Sequence, residues 1–483
     1  MFRKVLQIAI PAIMLTAGLG IRTPDVPAQD NLPNLGGSSP GLSELDEKRL
    51  GRQFIREARR SMKFVEDPEL TQYLSELGNR IARSGDEPRS EFRFYLIANN
   101  ELNAFAVPGG HIAANTGLIM ATTTEAELAS VLAHEVAHVT QHHLARMLEG
   151  AKSQRLPILG ALLAAILLGG GEAGQAAVVA ANANALENQL EYSRSFEKEA
   201  DAIGIQTLVR AGYDPRAMPA FFERLQQWAR VYDTGAPEFL RTHPLTTDRI
   251  ADSKVRADTY QRSPDPDQSD FHHVRAKIRA SFASDPKSAA AQFASNLESG
   301  DFENEAAERY GHALALSAAG NHGQALEQID RLIAQHPDSV RYQTAKGNIL
   351  MDAGRHEQAI EHFDRVQQRR PDHFALGMYH ASSLIQVKRF AEAKRLLKRL
   401  LLTNNNDPRV FSLLARAEGE MGNALVAHQN LAEYHYLRSN LSEAYRQLKL
   451  AEKYVGDSEY ARASIEARLL EIQREMELFE DDS

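Results

Sequence analysis

The chain has 483 residues, a formal net charge of −9 and no cysteine. That length exceeds what one hydrophobic core supports, so two or three domains are expected. The acidic balance argues against nucleic acid as the main partner, and the missing thiols exclude disulfides, cysteine nucleophiles and thiolate metal ligands.

Arg3 and Lys4 precede an apolar run from Val5 to Leu19, and a polar stretch with Val26-Pro27-Ala28 follows. A basic start, an apolar segment and small residues before a cut site predict a Sec-type signal peptide over 1–28. The run is about 15 residues against the roughly 20 a span needs, so an uncleaved anchor is the second reading. No Cys follows it, which excludes a lipoprotein. Cleavage after Ala28 removes Arg3, Lys4, Arg22 and Asp25 and takes the charge to about −11. The expected location is a bacterial periplasm. Residues 29–44, rich in Pro, Gly, Ser and Asn, read as a flexible lead-in to a folded domain over 45–265.

A helix is predicted from Leu42 to about Met62 and another from Asp67-Pro68 to about Ser84. Phe92 to Ile97 is rich in β-formers and reads as a strand. Next, two strand-like runs flank Pro108-Gly109-Gly110. Pro belongs on sheet edges, so Ala104, Phe105, Ala106 and Val107 are expected on an edge strand. Its unpaired backbone groups could take a substrate chain as an added strand; an ordinary hairpin is the plainer reading. Thr124 with Glu127 three residues on has capping-box form.

The helix so capped carries His134-Glu135-Val136-Ala137-His138 and is predicted to run unbroken and buried to Leu148. Residues four apart share a helix face, so His134 and His138 can aim two ring nitrogens at one cation. Glu135 is one residue round, beside the ion, where a general base for a water nucleophile must stand. The chemistry implied is metal-assisted hydrolysis of a peptide bond, with one Zn2+ per chain as cofactor.

Leu156 to Leu168 is strongly apolar, ends in three glycines and is too short to span a bilayer. It could be a core helix, a mobile lid, or an element contacting a membrane surface. Ser193 to Asp201 then opens a helix expected to reach Ala211 and end at Gly212. A catalytic zinc wants a third protein ligand. Glu197 and Asp201 share a face: one can bind the ion while the other accepts the free N–H of a ligand histidine. Glu199 is the alternative ligand but faces elsewhere.

His134-Glu135-Val136-Ala137-His138 followed by Glu197-Lys198-Glu199-Ala200-Asp201 resembles the zinc metallopeptidase family of the CAAX prenyl proteases and HtpX. Asn103 to Gly110 and Thr116-Gly117-Leu118-Ile119 resemble it too, and the likeness covers about residues 45 to 260. It implies Glu197 as third ligand and Asp201 as the carboxylate behind a ligand histidine. The metzincin pattern is excluded, since Gln141 and Leu144 replace the required Gly and His. Thr242-His243-Pro244-Leu245 matches a His-Pro segment of periplasmic members of this family. The resemblance implies that His243 can fill the ion's fourth position and hold the enzyme latent, with Arg249 as a neighbour; a plain loop histidine is the other reading. His111, His142 and His143 read as structural or surface residues.

Residues 266–303 read as connecting helices. From residue 304 a 34-residue period appears: Ala325, Ala359, Ala393 and Ala427 are evenly spaced, as are Gly320 and Gly354, and Pro337 and Pro371. Paired helices, small packing residues and exit prolines at this period are the tetratricopeptide pattern, an α-solenoid. About four repeats are expected over 304–483, with an extra helix near residue 425, where the period halves between Ala427 and Ala444, and a capping helix over 458–479. The fold class is thus mainly α: an α+β zincin-type peptidase with a small sheet, then the solenoid. Signal, peptidase and array together resemble the barrel-assembly proteases of Gram-negative bacteria. That implies unfolded or misassembled outer-membrane β-barrels as substrates and the barrel-assembly machinery as partner of the array. Two functions stand: a gated endopeptidase, and a repeat-based binding chaperone with a latent peptidase site.

Overall fold

Helix starts follow their caps. In the computed structural model, which describes residues 43–480 apart from 88–90, 151–182, 232–237, 263, 265 and 404–405, Ser43 and Asp46 form a reciprocal capping box that opens α1 (Glu44–Ser61). Asp67 caps α2 (Pro68–Arg83), whose first residue is a proline that needs no N–H there. The signal peptide expected over 1–28, nearly all of the expected lead-in and the apolar run 156–168 lie outside the described residues.

The sheet has three strands, β1 (Arg93–Ile97), β2 (Ala104–Val107) and β3 (His111–Asn115), in the order β1-β3-β2. β1 runs parallel to β3, and β2 pairs antiparallel with it from Ala104↔Ala114 to Val107↔His111. The turn between β2 and β3 needs glycine twice. Gly109 and Gly110 have φ of 76° and 80°, and a Cβ on Gly110 would lie 2.1 Å from the Glu91 carbonyl oxygen. β2 is the edge strand the proline foretold, with no strand on its far side among the described residues.

α3 (Thr116–Ala121) leads into α4 (Glu125–Thr140), the central helix. Thr124 accepts from Glu127 N–H, while the Glu127 carboxylate accepts from Thr123 N–H rather than from the cap itself. α4 is buried almost all round, which is why its apolar residues show no single stripe. It packs on α2, β2, α6 (Ala183–Arg210) and α7 (Ala217–Val231).

The expected run of this helix to Leu148 is wrong. It stops at Thr140, His142 takes φ 50°, and a separate α5 (His143–Gly150) begins. No Gly or Pro marks the break. Histidine is one of the few residues enriched in the left-handed region, and here His142 Nδ1 is held 3.1 Å from Glu47 of α1. The short α8 (Glu238–Thr242) and α9 (Thr247–Asp258) complete the peptidase part.

After α10 (Ser269–Ser281) and α11 (Pro286–Ser299) come four helix pairs: α12 and α13 (Glu305–Ala318, His322–Gln335), α14 and α15 (Val340–Asp352, His356–Arg369), α16 and α17 (Phe374–Gln386, Phe390–Thr403), α18 and α19 (Pro408–Glu420, Ala424–Leu437). The four periodic alanines all sit on second helices. The extra helix expected near residue 425 is absent: α20 (Leu441–Ala451) simply follows α19, and Ala444 lies on it. α21 (Glu459–Glu480) closes the array.

The connecting helix α10 and successive array helices reach for one end of α2. Glu69 receives Lys277 at 2.8 Å, Tyr310 at 3.0 Å and Arg341 at 2.5 Å. Asp67 receives Tyr379 at 2.6 Å, and Arg409 bonds the Glu66 carbonyl and Thr71. Part of the array's surface is thus spent on its own peptidase. Burial alone would raise Glu69, but Lys277 and Arg341 outweigh it and hold the carboxyl at about 2. Lys277 is 6% exposed, and removing one partner of a buried pair strands the other charge. Lys277→Ala is expected to cost about 3 kcal/mol, read as a urea transition. Because Glu69 is depressed, this stabilisation is intact above its unfolded pKa of about 4.3 and fades as pH falls towards 2. The deficit should narrow over that range; a deficit under about 1 kcal/mol at pH 7 would contradict the cluster's role.

Candidate metal centre and cleft

Three elements converge on one point. His134 and His138 project from successive turns of α4, Glu197 from the facing side of α6, and His243 from the loop that leaves α8. His134 Nε2 lies 3.0 Å from His138 Nε2, 3.2 Å from His243 Nδ1 and 3.4 Å from Glu197 Oε2. Glu197 Oε1 is 3.3 Å from His138 Nε2 and 3.1 Å from His243 Nδ1. A tetrahedron whose centre sits about 2.0–2.1 Å from each corner has edges of about 3.3–3.4 Å. Three imidazole nitrogens and the two oxygens of the Glu197 carboxylate, at spacings close to those edges, thus cage a point that fits a small divalent cation. Among the described residues these four are the one cluster of this kind.

The charges around the cage point the same way. Asp201, one turn beyond Glu197, has Oδ1 3.0 Å from His134 Nδ1, off the line of the N–H bond. Arg249 bonds Asp201 twice, at 2.7 and 2.8 Å, reaches Glu197 Oε2 at 2.8 Å and donates to the Pro244 carbonyl. It thereby ties α6 to the loop bearing His243. Burial pushes each carboxyl up. For Glu197 the imidazoles of His243, His134 and His138 outweigh it, and for Asp201 the Arg249 guanidinium does; both stay below the usual carboxylate range. Burial pulls His134 down, but Asp201 and Glu197 lift it to about 10, whereas His138 is left at about 4. Arg249 is shared by Glu197 and Asp201, and Glu135 is buried beside the cage. With the three carboxylates ionised and the histidines neutral, as ligands must be, two buried negative charges are left that a divalent cation would balance.

Glu135 is 1% exposed and its Oε1 has no hydrogen-bond partner among the described residues. Burial raises its pKa, with the His243 charge opposing. His243 Nε2 stands 3.4 Å from that same oxygen, so this imidazole faces both the cage and the carboxylate beside it. A cleft of about 200 Å³ opens over them. Phe105, Ala106 and Val107 of β2 form one wall, and Val139, Leu144 and Phe196 make much of the rest apolar. All its lining residues precede Pro244, so none of the described lining comes from the array.

His134, Glu135, His138, Glu197, Asp201, His243 and Arg249 are all residues singled out in the sequence, and the fold brings them to one point. Glu199 is confirmed off the cage: it bonds His143 and Arg146. His143, read as structural or surface, is buried with Nδ1 2.9 Å from His138 Nδ1. The signal was there only for a reader who expected the helix to break: in a continuous helix a residue five positions on points about 140° away.

Residues 68–257 match Peptidase family M48, and residues 310–374 and 350–417 match tetratricopeptide repeats. The β-barrel assembly-enhancing protease of Yersinia pestis is 33% identical over 94% of this chain and 94% of its own. That of Escherichia coli K12 is 31% identical over 99% of both chains, and a putative one from Vibrio cholerae is 37% identical over 92% and 93%.

The chain belongs to the β-barrel assembly-enhancing protease family.

It is a metallopeptidase of family M48 carrying tetratricopeptide repeats, mainly helical around one small sheet. The correspondence runs through the array as well as the peptidase, so the family's architecture is present at full length. The donor cage, on α4, α6 and the loop after α8, falls wholly inside the M48 match.

Proposed function

We propose that the chain is an exported zinc endopeptidase and chaperone that assists assembly of outer-membrane β-barrels and degrades misassembled ones. The observation that carries the peptidase reading is the cage of His134, His138, Glu197 and His243 with donor spacings of 3.0–3.4 Å. Nitrogen and oxygen donors at tetrahedral spacing, without thiolate, suit zinc. Bound there, zinc supplies Lewis acidity at the scissile carbonyl. Glu135 takes the proton of the attacking water at Oε1 and passes it to the leaving amine. Asp201 and Arg249 hold His134 and Glu197 in place. β2 presents Ala104 to Val107 to an extended substrate, whose backbone adds to the sheet edge without its sequence being read. His243, standing in the fourth corner, keeps the enzyme latent until its loop moves.

Periplasmic location is supported by the export pattern over 1–28 and by the barrel-assembly role in the relatives' name. No helix among the described residues is long and apolar enough to cross a membrane. The relatives' name also supports barrel proteins as substrates, and the repeats support a protein partner, in our reading the barrel-assembly machinery. The test is metal content beside casein-type proteolysis. Wild type should carry one zinc per chain, and Glu197→Gln should lose on the order of 10–100-fold in affinity or more and its proteolysis with it. Full zinc occupancy in Glu197→Gln would overturn the ligand set.

A further inference from the structure

The two ligand histidines are supported in different ways. His134 has its carboxylate, Asp201, directly behind it. Among the described residues His138 has no carboxylate at its Nδ1; it has His143, at 2.9 Å. Behind His143 stands Glu199, whose Oε2 is 3.3 Å from His143 Nε2 and is itself held by Arg146 at 3.0 Å. Phe196 stacks on the His143 ring at 4.6 Å and 17°, and Arg146 lies over the other partner of that stack.

Only one arrangement of protons satisfies this chain. His138 Nε2 faces His134 and Glu197 in the cage. To offer a lone pair there, a neutral His138 must carry its proton on Nδ1. That N–H then points at His143 Nδ1, which must accept. His143 in turn must carry its proton on Nε2, which donates to the Glu199 carboxylate. Each tautomer fixes the next, and the series ends on a charge.

We propose that Glu199 and His143 are positioning residues for His138: a carboxylate–imidazole relay that sets its tautomer and ring orientation for metal binding, the counterpart of Asp201 behind His134. The left-handed His142 is what makes this possible, because it ends α4 and folds His143 back onto His138. Glu199, set aside as a ligand, thus acts at one remove. The inference rests on the metallopeptidase reading of the cage.

Zinc affinity of the purified chain, measured by competition with a chromogenic chelator, tests it without reference to activity. His143→Leu keeps the bulk against Phe196 but cannot accept; it should weaken zinc binding about 10–100-fold. His143→Asn places an amide oxygen near the lost Nδ1 and should return affinity to within about threefold of wild type. Glu199→Ala, a change at a partly exposed helix position, should weaken binding several-fold with the fold intact by circular dichroism. Wild-type affinity in His143→Leu, or equal losses in His143→Leu and His143→Asn, would overturn the relay while leaving the cage. A wild type that binds no zinc would overturn both.

Discussion

Glu135→Gln should abolish proteolysis while leaving zinc content and folding unchanged. The substitution is isosteric and replaces none of the four donors, since Glu135 lies beside the cage, next to the Nε2 side of His243. What it removes is a basic oxygen. Oε1 is buried, without a hydrogen-bond partner among the described residues, and beside the cleft. Burial raises its affinity for a proton, as a general base working near neutrality requires. A positioned base contributes roughly 10²- to 10⁴-fold, so cleavage of an unfolded barrel or of casein should fall by about that factor. Glutamine is neutral, so burying it carries no charge-desolvation cost, and the thermal midpoint should hold or rise. Residual activity within about tenfold of wild type, at equal metal content, would assign the base elsewhere.

Helix period alone put His134 and His138 on one face, and Glu197 and Asp201 on one face of a second helix, because those relations are local. That Glu197 rather than Asp201 joins the donors, and that His243 does, came only from the resemblance to the zinc metallopeptidase family. The edge strand was legible from Pro108-Gly109-Gly110, since those residues admit few backbone paths. What escaped was set by tertiary contact. The break after Thr140 has no Gly or Pro to announce it and depends on Glu47, nearly a hundred residues earlier in the chain. His143 could not be placed without that break. The array's period was plain, yet nothing in it said that Tyr310, Arg341, Tyr379 and Arg409 would close on the peptidase rather than face a partner. Charged and aromatic residues on a repeat surface look the same in sequence whichever they do.

Removing the His243 side chain should raise basal proteolysis, by about tenfold if the closed loop is favoured by about 1.4 kcal/mol. The loop is held at several points. Phe239 stacks on the His243 ring at 4.7 Å, the Phe239 N–H bonds the Leu102 carbonyl beside the edge strand, and Arg249 grips Pro244 from behind. Only the stack needs the imidazole; the Phe239 N–H bond to Leu102 and the Arg249 bond to Pro244 survive its removal. His243→Ala therefore vacates the fourth corner without unfastening the loop, and the three remaining donors keep an open position as catalytic sites do. The rival role for His243 is catalytic, since its Nε2 lies 3.4 Å from Glu135 and could steady charge on a reacting oxygen. The two roles predict opposite signs. Proteolysis of casein by His243→Ala, compared at equal zinc content with wild type, rises if the residue is a plug and falls if it serves the chemistry. A second substitution separates access from loop release: Phe239→Ala loosens the loop but leaves the imidazole, so a plug predicts partial activation there and a catalytic histidine predicts loss.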